Sequence, residues 1–237
     1  MEESDSYSCL FQAAVGSGGG EAAVRRSPHG RQHDEAGRRG SKSIRIGEEA
    51  DMLNKLRVTQ AIAEAGVVAV LRADSAEEVA RMARHAIRGG IKAIEITMTV
   101  PMALQAIQQL AAEYSSKADP ASDTYAIIGV GTVLDPETAR AAILSGAEFV
   151  VAPAVNPDTI TLCNRYAVPV MPGTMTIRDI QTAMELGVDI VKLFPGSAFG
   201  PDMITAVKGP LPQANIMPTG GVSLANLALW VKAGAVA

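Results

Sequence analysis

The stretch from residue 75 to residue 98, SAEEVARMARHAIRGGIKAIEITM, carries one helix and one strand in direct succession. Ser75 is a preferred helix N-cap, and the two glutamates in the next turn favour a helix start because they face its positive end. The glycine pair 89–90 ends that helix. The following run, Lys92–Met98, is rich in isoleucine and threonine and reads as a strand. This stretch therefore predicts a helix that feeds directly into a strand.

The same unit recurs along the chain beyond residue 52. Strand-like runs occupy Gly66–Arg72, Lys92–Met98, Ala126–Gly131, Ala147–Ala152, Val168–Pro172, Asp189–Phe194 and Asn215–Thr219, and helix-like runs between them start at Ser75, Pro101, Pro136, Pro157, Ile177, Pro201 and Leu224. Strands that alternate with helices, without hairpin turn signals, predict a parallel sheet with right-handed crossovers.

Two architectures fit that pattern, a closed barrel and an open doubly wound sheet. The first strand-to-helix turn, residues 72–75, lacks the glycine-rich dinucleotide fingerprint of the open sheet. An α/β fold of the (β/α)8 TIM type is therefore favoured. The final residues, Ala235-Val236-Ala237, resemble the opening of an eighth strand, so we expect a barrel truncated within that strand.

Residues 1–51 differ in composition from the rest of the chain. They contain glycine and arginine runs and lack sustained apolar periodicity, which predicts a disordered N-terminal extension ahead of a barrel domain at residues 52–237. A targeting or phosphate-contacting role for this extension is the alternative, although nearby acidic residues offset its charge.

The composition excludes several classes of function. A net charge of -4 and a pI near 5.4 argue against nucleic-acid partners, which require a basic face. The sequence contains no long uncharged apolar run, so no membrane span is predicted. Cys9 and Cys163 are too few for a disulfide framework, which predicts a cytoplasmic protein. We find no histidine or carboxylate pattern with metal-ligand spacing, so we expect a small-molecule substrate and no metal or other cofactor.

Lys192 is the most unusual residue because it lies inside an otherwise apolar strand. Burial disfavours the ammonium form, lowers the lysine pKa and leaves an amine that can attack a ketone to form an imine. Two structural roles remain open at this point: Lys192 could extend to solvent, or it could pair with a buried carboxylate.

Glu95 is the second candidate. Strand alternation places Glu95, Thr97 and Thr99 on one face and the intervening apolar residues on the other, so the polar set should face the barrel interior. There Glu95 can act as a general acid and base beside Lys192. Its structural alternative is an ion-pair partner that only neutralises the lysine.

Polar groups at other strand ends complete a predicted pocket, because barrel enzymes use the carboxyl ends of their strands. Arg72 offers a guanidinium for a carboxylate or a phosphate. Thr132 follows a strand, and the backbone N–H groups of Gly220 and Gly221, after Thr219, can hold an anion.

With these residues in place, the sequence resembles the family of 2-keto-3-deoxy-6-phosphogluconate (KDPG) and 2-keto-4-hydroxyglutarate (KHG) aldolases, over about residues 53–237. The matching motifs, which are specific in combination, are Val70-Leu71-Arg72, Ile94-Glu95-Ile96-Thr97, Gly129-Val130-Gly131-Thr132-Val133, Met171-Pro172-Gly173, Val191-Lys192-Leu193-Phe194-Pro195 and Pro218-Thr219-Gly220-Gly221.

The resemblance implies a homotrimeric class I aldolase that releases pyruvate and an aldehyde, glyceraldehyde 3-phosphate or glyoxylate. It implies that Lys192 forms the Schiff base and that Glu95 is the acid and base. It further implies a substrate-binding set in which some residues hold the pyruvyl carboxylate and neighbouring groups and others shape the pocket: Arg72, Thr132, Thr219, Pro153 and Phe194.

Two departures from the family pattern bear on substrate and stability. Thr99 stands where some members carry an arginine, which affects one anion contact. Members also continue into an eighth strand with a Gly-Ser phosphate loop, so we expect weaker phosphate binding and a less stable barrel here. Two other functions therefore stay open: another phosphate-binding barrel enzyme, such as an epimerase or a synthase, and an inactive barrel that serves only in oligomer contacts.

Overall fold

The computed structural model describes residues 54–115 and 125–237. The strands are β1 (Val68–Leu71), β2 (Ala93–Thr97), β3 (Ile127–Gly131), β4 (Val150–Val151), β5 (Val170–Met171), β6 (Gly173–Thr174), β7 (Val191–Leu193) and β8 (Ile216–Pro218). The helices are α1 (Asn54–Ala65), α2 (Ala76–Arg88), α3 (Ala103–Tyr114), α4 (Pro136–Leu144), α5 (Pro157–Arg165), α6 (Ile177–Glu185), α7 (Asp202–Lys208) and α8 (Leu227–Ala233). A short 3₁₀ helix covers Gly196–Ala198.

The strands pair in sequence order and are parallel throughout. Strands β1 to β5 form one hydrogen-bonded series, and β6 to β8 form a second. The two series meet at Pro172, where β5 pairs with β4 on one side and β6 pairs with β7 on the other. β5 and β6 are therefore two halves of one barrel strand. Sequential parallel strands with a helix after each one are the arrangement of a TIM-type barrel.

Each predicted strand run contains a strand, although most strands are shorter than predicted. The run predicted as Val168–Pro172 instead continues beyond its proline to Thr174. Helix α2 has the predicted ends, since the Ser75 side chain accepts a hydrogen bond from the backbone N–H of Glu78 and Gly89 forms the C-cap. The predicted extension at residues 1–51 lies outside the described residues.

Two apolar clusters stabilise the barrel. The outer cluster lies between the strands and the helices, and it contains Ile94, Ile96 and Leu193 together with alanine-rich helix faces. The inner cluster lies at the amino ends of the strands, where Phe149 and Met171 pack among their neighbours. Alanine, valine and isoleucine dominate both clusters, in agreement with a sequence that contains only 4% aromatic residues.

Helix α1 closes the amino end of the barrel, and the sequence patterns did not predict it. Val58 and Ile62 of this helix are fully buried in the inner cluster. Polar contacts hold it from both sides: Lys55 Nζ lies 3.0 Å from Asp189 Oδ2, and an Arg57 guanidinium nitrogen lies 3.1 Å from Glu148 Oε1. The helix therefore acts as a plug against which the first layer of strand residues packs.

Replacing Ile62 with alanine should lower the free energy of unfolding by about 2–5 kcal/mol, because it leaves a cavity in the inner cluster that the plug cannot fill. Urea denaturation measures the change. Leu56→Ala is the matched control on the same helix: its side chain is 52% exposed, so we expect a change within about 0.5 kcal/mol. Equal losses in the two variants would show that α1 does not plug the barrel.

The carboxyl-terminal residues run beside β8. The backbone N–H of Val236 donates to the Ile216 carbonyl at 2.9 Å, at the position predicted for the opening of an eighth strand. At the other end of the strand series, all four residues of β1 are only half-buried, whereas every residue of the neighbouring strand β2 is buried. None of the helices within residues 54–115 and 125–237 has the length and apolar character needed to cross a bilayer.

Candidate active site

Glu95 and Lys192 project into the barrel from two different strands. Glu95 lies in the middle of β2 and is 1% exposed, and Lys192 lies in the middle of β7 and is 5% exposed. The neighbours of Glu95 on its own strand, Ile94 and Ile96, belong to the outer cluster. The alternation predicted for β2 is thus present, and the face of the strand that carries Glu95 is turned toward the barrel interior.

The Lys192 amine occupies a largely apolar position. Its Nζ lies 4.7 Å from the centre of the Phe194 ring. Burial lowers the pKa of Lys192, the positive charge of Arg72 lowers it further, and the Glu95 carboxylate opposes both effects. Because the residue is almost fully buried, the alternative in which Lys192 extends into solvent is excluded. At a given pH, a larger fraction of Lys192 is therefore the neutral, nucleophilic amine than for a surface lysine.

The Glu95 carboxyl group is buried without a hydrogen-bond partner for either oxygen among the described residues. Burial raises its pKa, and the positive charges of Lys192 and Arg72 only partly offset that rise. No Glu95–Lys192 ion pair within 4.0 Å is present in the part of the chain that the structure describes. The ion-pair alternative is therefore not observed, and Glu95 is free to exchange a proton with a bound molecule.

A cavity of about 440 Å³ opens beside these two residues. Five of the predicted site residues line this cavity and so meet at one surface: Arg72, Glu95, Phe194, Thr219 and Gly220. The cavity lies on the β1 and β8 side of the barrel and continues along Val70 and Met217.

Four predicted residues lie outside that lining. Lys192 is next to Phe194, which does line the cavity, whereas Gly221 approaches Ser197 in the loop after β7. Thr132 and Pro153 follow β3 and β4, on strands farther from the β1–β8 side. These four residues therefore lie on or just after barrel strands, but the structure does not bring them into the cavity lining.

Thr132 has an unusual backbone conformation. Its φ angle is 59°, in the left-handed region that β-branched residues rarely adopt. Such strain persists where the surrounding structure holds it, and it clusters at functional sites. Thr132 lies immediately after β3, at the carboxyl end of that strand, where the sequence predicted a binding residue.

Two residues near the site were not found from the sequence. Trp230 of α8 is buried and lines the cavity, and its indole N–H has no partner among the described residues. Thr174 is buried in β6, and its hydroxyl donates to the Lys192 carbonyl at 2.9 Å, which fixes β7 beside it. Trp230 is the single tryptophan of the sequence, but it lies on a helix, whereas the sequence argument for a barrel site concerns strand ends.

Cys163 is a buried thiol that does not line the cavity. Cys163 is buried in the outer cluster, and burial raises the pKa of its thiol to about 12, so it is unreactive at neutral pH. Within residues 54–115 and 125–237, no three side chains of His, Cys, Asp or Glu are grouped closely enough to hold a metal ion.

Replacing Lys192 with methionine should make stability fall as the pH rises. Loss of the lysine removes a charge that opposes the rise in the Glu95 pKa, so that pKa moves further up. A raised pKa stabilises the folded state fully below the ordinary glutamate value of about 4.3, and this contribution is lost as the pH passes the raised value. The slope should approach about 1.4 kcal/mol per pH unit. Urea denaturation of Lys192→Met between pH 5 and 8 measures it.

The matched control is the double variant Lys192→Met with Glu95→Gln. It keeps every other titrating group, so the difference in slope between the two variants belongs to Glu95 alone. Identical pH dependence in both variants would contradict a raised Glu95 pKa.

Known proteins are similar to this chain in sequence and fold. A family model described as KDPG and KHG aldolase matches residues 58–237. The chain is 33% identical over 177 residues to the 2-dehydro-3-deoxy-phosphogluconate aldolase of Treponema pallidum (strain Nichols), covering 74% of this chain and 80% of the relative. It is 35% identical to the 2-dehydro-3-deoxy-6-phosphogalactonate aldolase of Escherichia coli (strain K12), covering 71% of this chain and 78% of the relative.

A solved structure gives the same result. The KDPG aldolase of Legionella pneumophila, with pyruvate captured at low pH as a covalent carbinolamine intermediate, matches with a TM-score of 0.63 and 26% identity. The match covers 72% of this chain and 79% of that chain. Together with the sequential parallel strands, it confirms the predicted TIM-type barrel. The chain belongs to the KDPG and KHG aldolase family.

Proposed function

We propose that this chain is a class I aldolase that cleaves a 2-keto-3-deoxy sugar acid phosphate, or 2-keto-4-hydroxyglutarate, through a Schiff base on Lys192. The observation that carries the proposal is the buried lysine with a lowered pKa beside a buried, unpartnered carboxyl group. The pyruvate carbinolamine captured in the Legionella pneumophila relative supports the same chemistry.

The first half of the cycle forms an electron sink on Lys192. The neutral amine attacks the C2 ketone and gives a carbinolamine, which loses water to an iminium ion with Glu95 supplying the proton that leaves with the hydroxyl group. A carboxyl group with a raised pKa is suited to this step, because it is protonated in a larger share of molecules near neutral pH than an ordinary glutamate.

The second half breaks the carbon–carbon bond. The Glu95 carboxylate takes the proton of the C4 hydroxyl group, the C3–C4 bond breaks, and the electron pair moves into the iminium to give an enamine as the aldehyde leaves. A proton then returns to C3, and water hydrolyses the imine to release pyruvate and the free amine. One glutamate can thus perform all three proton transfers, because the proton it takes from the C4 hydroxyl group is the one it returns to C3, and its lack of a fixed hydrogen-bond partner allows this.

Substrate binding follows from the charges and donors at the strand ends. The Arg72 guanidinium is suited to the substrate carboxylate, and Thr132 and Thr219 offer hydroxyl groups after two other strands. The backbone N–H groups of Gly220 and Gly221 are suited to a phosphate. Phe194 and Pro153 would shape the apolar part. A cavity of about 440 Å³ is within the range of small-molecule sites.

Pyruvate release from a panel of substrates tests this function. The panel contains 2-keto-3-deoxy-6-phosphogluconate and 2-keto-3-deoxy-6-phosphogalactonate, the two sugar acid phosphates for which relatives are named, and 2-keto-4-hydroxyglutarate. We expect release that persists in excess EDTA, because the lysine supplies the electron sink. Activity that EDTA abolishes and a divalent ion restores would overturn the Schiff-base proposal.

The same assay separates the other functions. An epimerase or synthase that uses Glu95 as base and Lys192 as an anion contact would keep activity in Lys192→Met and lose it in Glu95→Gln. A folded protein inactive on the whole panel would favour a barrel that serves only in oligomer contacts.

The quaternary structure and the compartment are part of the proposal. We infer a homotrimer, supported by exposed apolar side chains on loops after the strands, among them Met102 and Leu134. Light scattering that gives the mass of one chain would contradict it. A cytoplasmic location is supported by Cys163, which is buried and unpaired.

A further inference from the structure

Strand β3 turns two glycines toward the barrel interior. Gly129 and Gly131 are two residues apart, so they face the same side of the strand. In the register of the parallel pair, Gly129 is opposite Glu95, and Gly131 is opposite Thr97. The strand next to the glutamate therefore presents no side chain at two successive inward positions.

The space above Gly131 is filled by the Glu95 side chain. A Cβ atom added at Gly131 would lie 1.7 Å from Glu95 Oε1, 2.4 Å from its Cδ and 2.7 Å from its Cγ. These separations are far below van der Waals contact, so any residue with a side chain here would displace the carboxyl group.

The space above Gly129 is filled by a different residue. A Cβ atom there would lie 2.4 Å from the ring of Phe149, which is fully buried in the inner cluster. The aromatic ring thus forms a dry floor at the strand position opposite Glu95.

The backbone gives no separate reason for a glycine at position 131. Gly131 is not among the residues with positive φ, and it lies within a regular strand. An alanine would fit this conformation, so the constraint comes from the neighbouring side chain rather than from the chain path.

We propose that Gly131 is a positioning residue: it leaves the volume in which the Glu95 carboxyl group sits and thereby directs that group at the reacting carbon atoms. That Gly131 makes room for Glu95 follows from the contacts between position 131 and the Glu95 side chain. That this room matters for catalysis rests on the proposed function. The two parts can be tested separately.

A double-mutant cycle in stability tests the geometric part. Gly131→Ala should lower the urea midpoint in the otherwise unchanged protein. In a Glu95→Ala background the clashing atoms are gone, so the same change should leave the midpoint unchanged or raise it. Gly129→Ala is the matched control on the same strand face, and it should lower the midpoint in both backgrounds because Phe149 remains. Equal losses for Gly131→Ala in both backgrounds would overturn the proposal.

Deuterium exchange at the methyl group of pyruvate tests the catalytic part. In Gly131→Ala, exchange should slow by about 10²-fold because the carboxyl group is displaced by about 1 Å or more. The acid limb of its pH profile should move to lower pH, since a displaced carboxyl group is less buried. Borohydride trapping of pyruvate on Lys192 should still occur. An unchanged rate and pH profile would overturn the positioning role.

The two tests also distinguish failures. Absence of trapping and exchange in the unchanged protein would refute the proposed function. The stability cycle would then still decide whether Gly131 makes room for Glu95.

Discussion

Lys192→Met should reduce pyruvate release by about 10⁴-fold or more, because none of the residues that line the cavity carries an amine that could replace Lys192 in imine formation. Methionine has nearly the volume of lysine and suits an apolar position, so the barrel should stay folded. Arg72, which lines the cavity, carries a guanidinium, which does not form imines with ketones as an amine does. Steady-state kinetics on the best substrate of the panel measures the loss.

The control for this variant is Lys232→Met. Lys232 is exposed on α8, so its loss removes an amine of the same kind without touching the barrel interior. We expect its turnover to stay within about twofold of the unchanged protein, as is usual for surface substitutions that perturb the fold little. A Lys192→Met protein that keeps more than about a tenth of the original rate would contradict covalent catalysis.

Glu95→Gln should reduce turnover by about 10²–10⁴-fold, the usual contribution of a positioned acid and base. The amide keeps the shape of the carboxyl group but cannot exchange a proton. Activity should also lose one limb of its pH profile. Where the Glu95 carboxylate is the base, activity rises with pH through its pKa, which burial places above the ordinary glutamate value.

Glu148→Gln provides a control matched for burial. Glu148 is also buried, but it lies at the amino end of the barrel, where it accepts a hydrogen bond from Arg57. This variant should lose stability and keep its turnover and its pH profile per folded molecule. If both variants lost activity equally, the effect of Glu95→Gln would be structural.

Local sequence patterns predicted the strands that carry the chemistry. Alternation in Lys92–Met98 put Glu95 on the inward face, and a single lysine in an apolar run marked Lys192. Both inferences need only neighbours along the chain, which explains their agreement with the structure. Capping residues did the same for α2, whose ends are as predicted.

Features that depend on tertiary contacts could not be read in this way. Helix α1 has little contrast between its faces apart from Val58 and Ile62, and its place under the barrel comes from contacts with residues more than 90 positions away. The position of the cavity could not be predicted for the same reason, because it depends on how β1 and β8 lie relative to α8. The glycines of β3 were recognised as part of a motif, but their contacts with Glu95 and Phe149 join separate strands.

The most direct test of the central claim is borohydride reduction in the presence of pyruvate, followed by peptide mapping. Reduction of the imine between pyruvate and an amine leaves a stable secondary amine and a fixed gain in mass. We expect one modified peptide, with the added mass on Lys192, and no modification in Lys192→Met. A mass gain that persists in Lys192→Met, or that maps to another lysine, would contradict it.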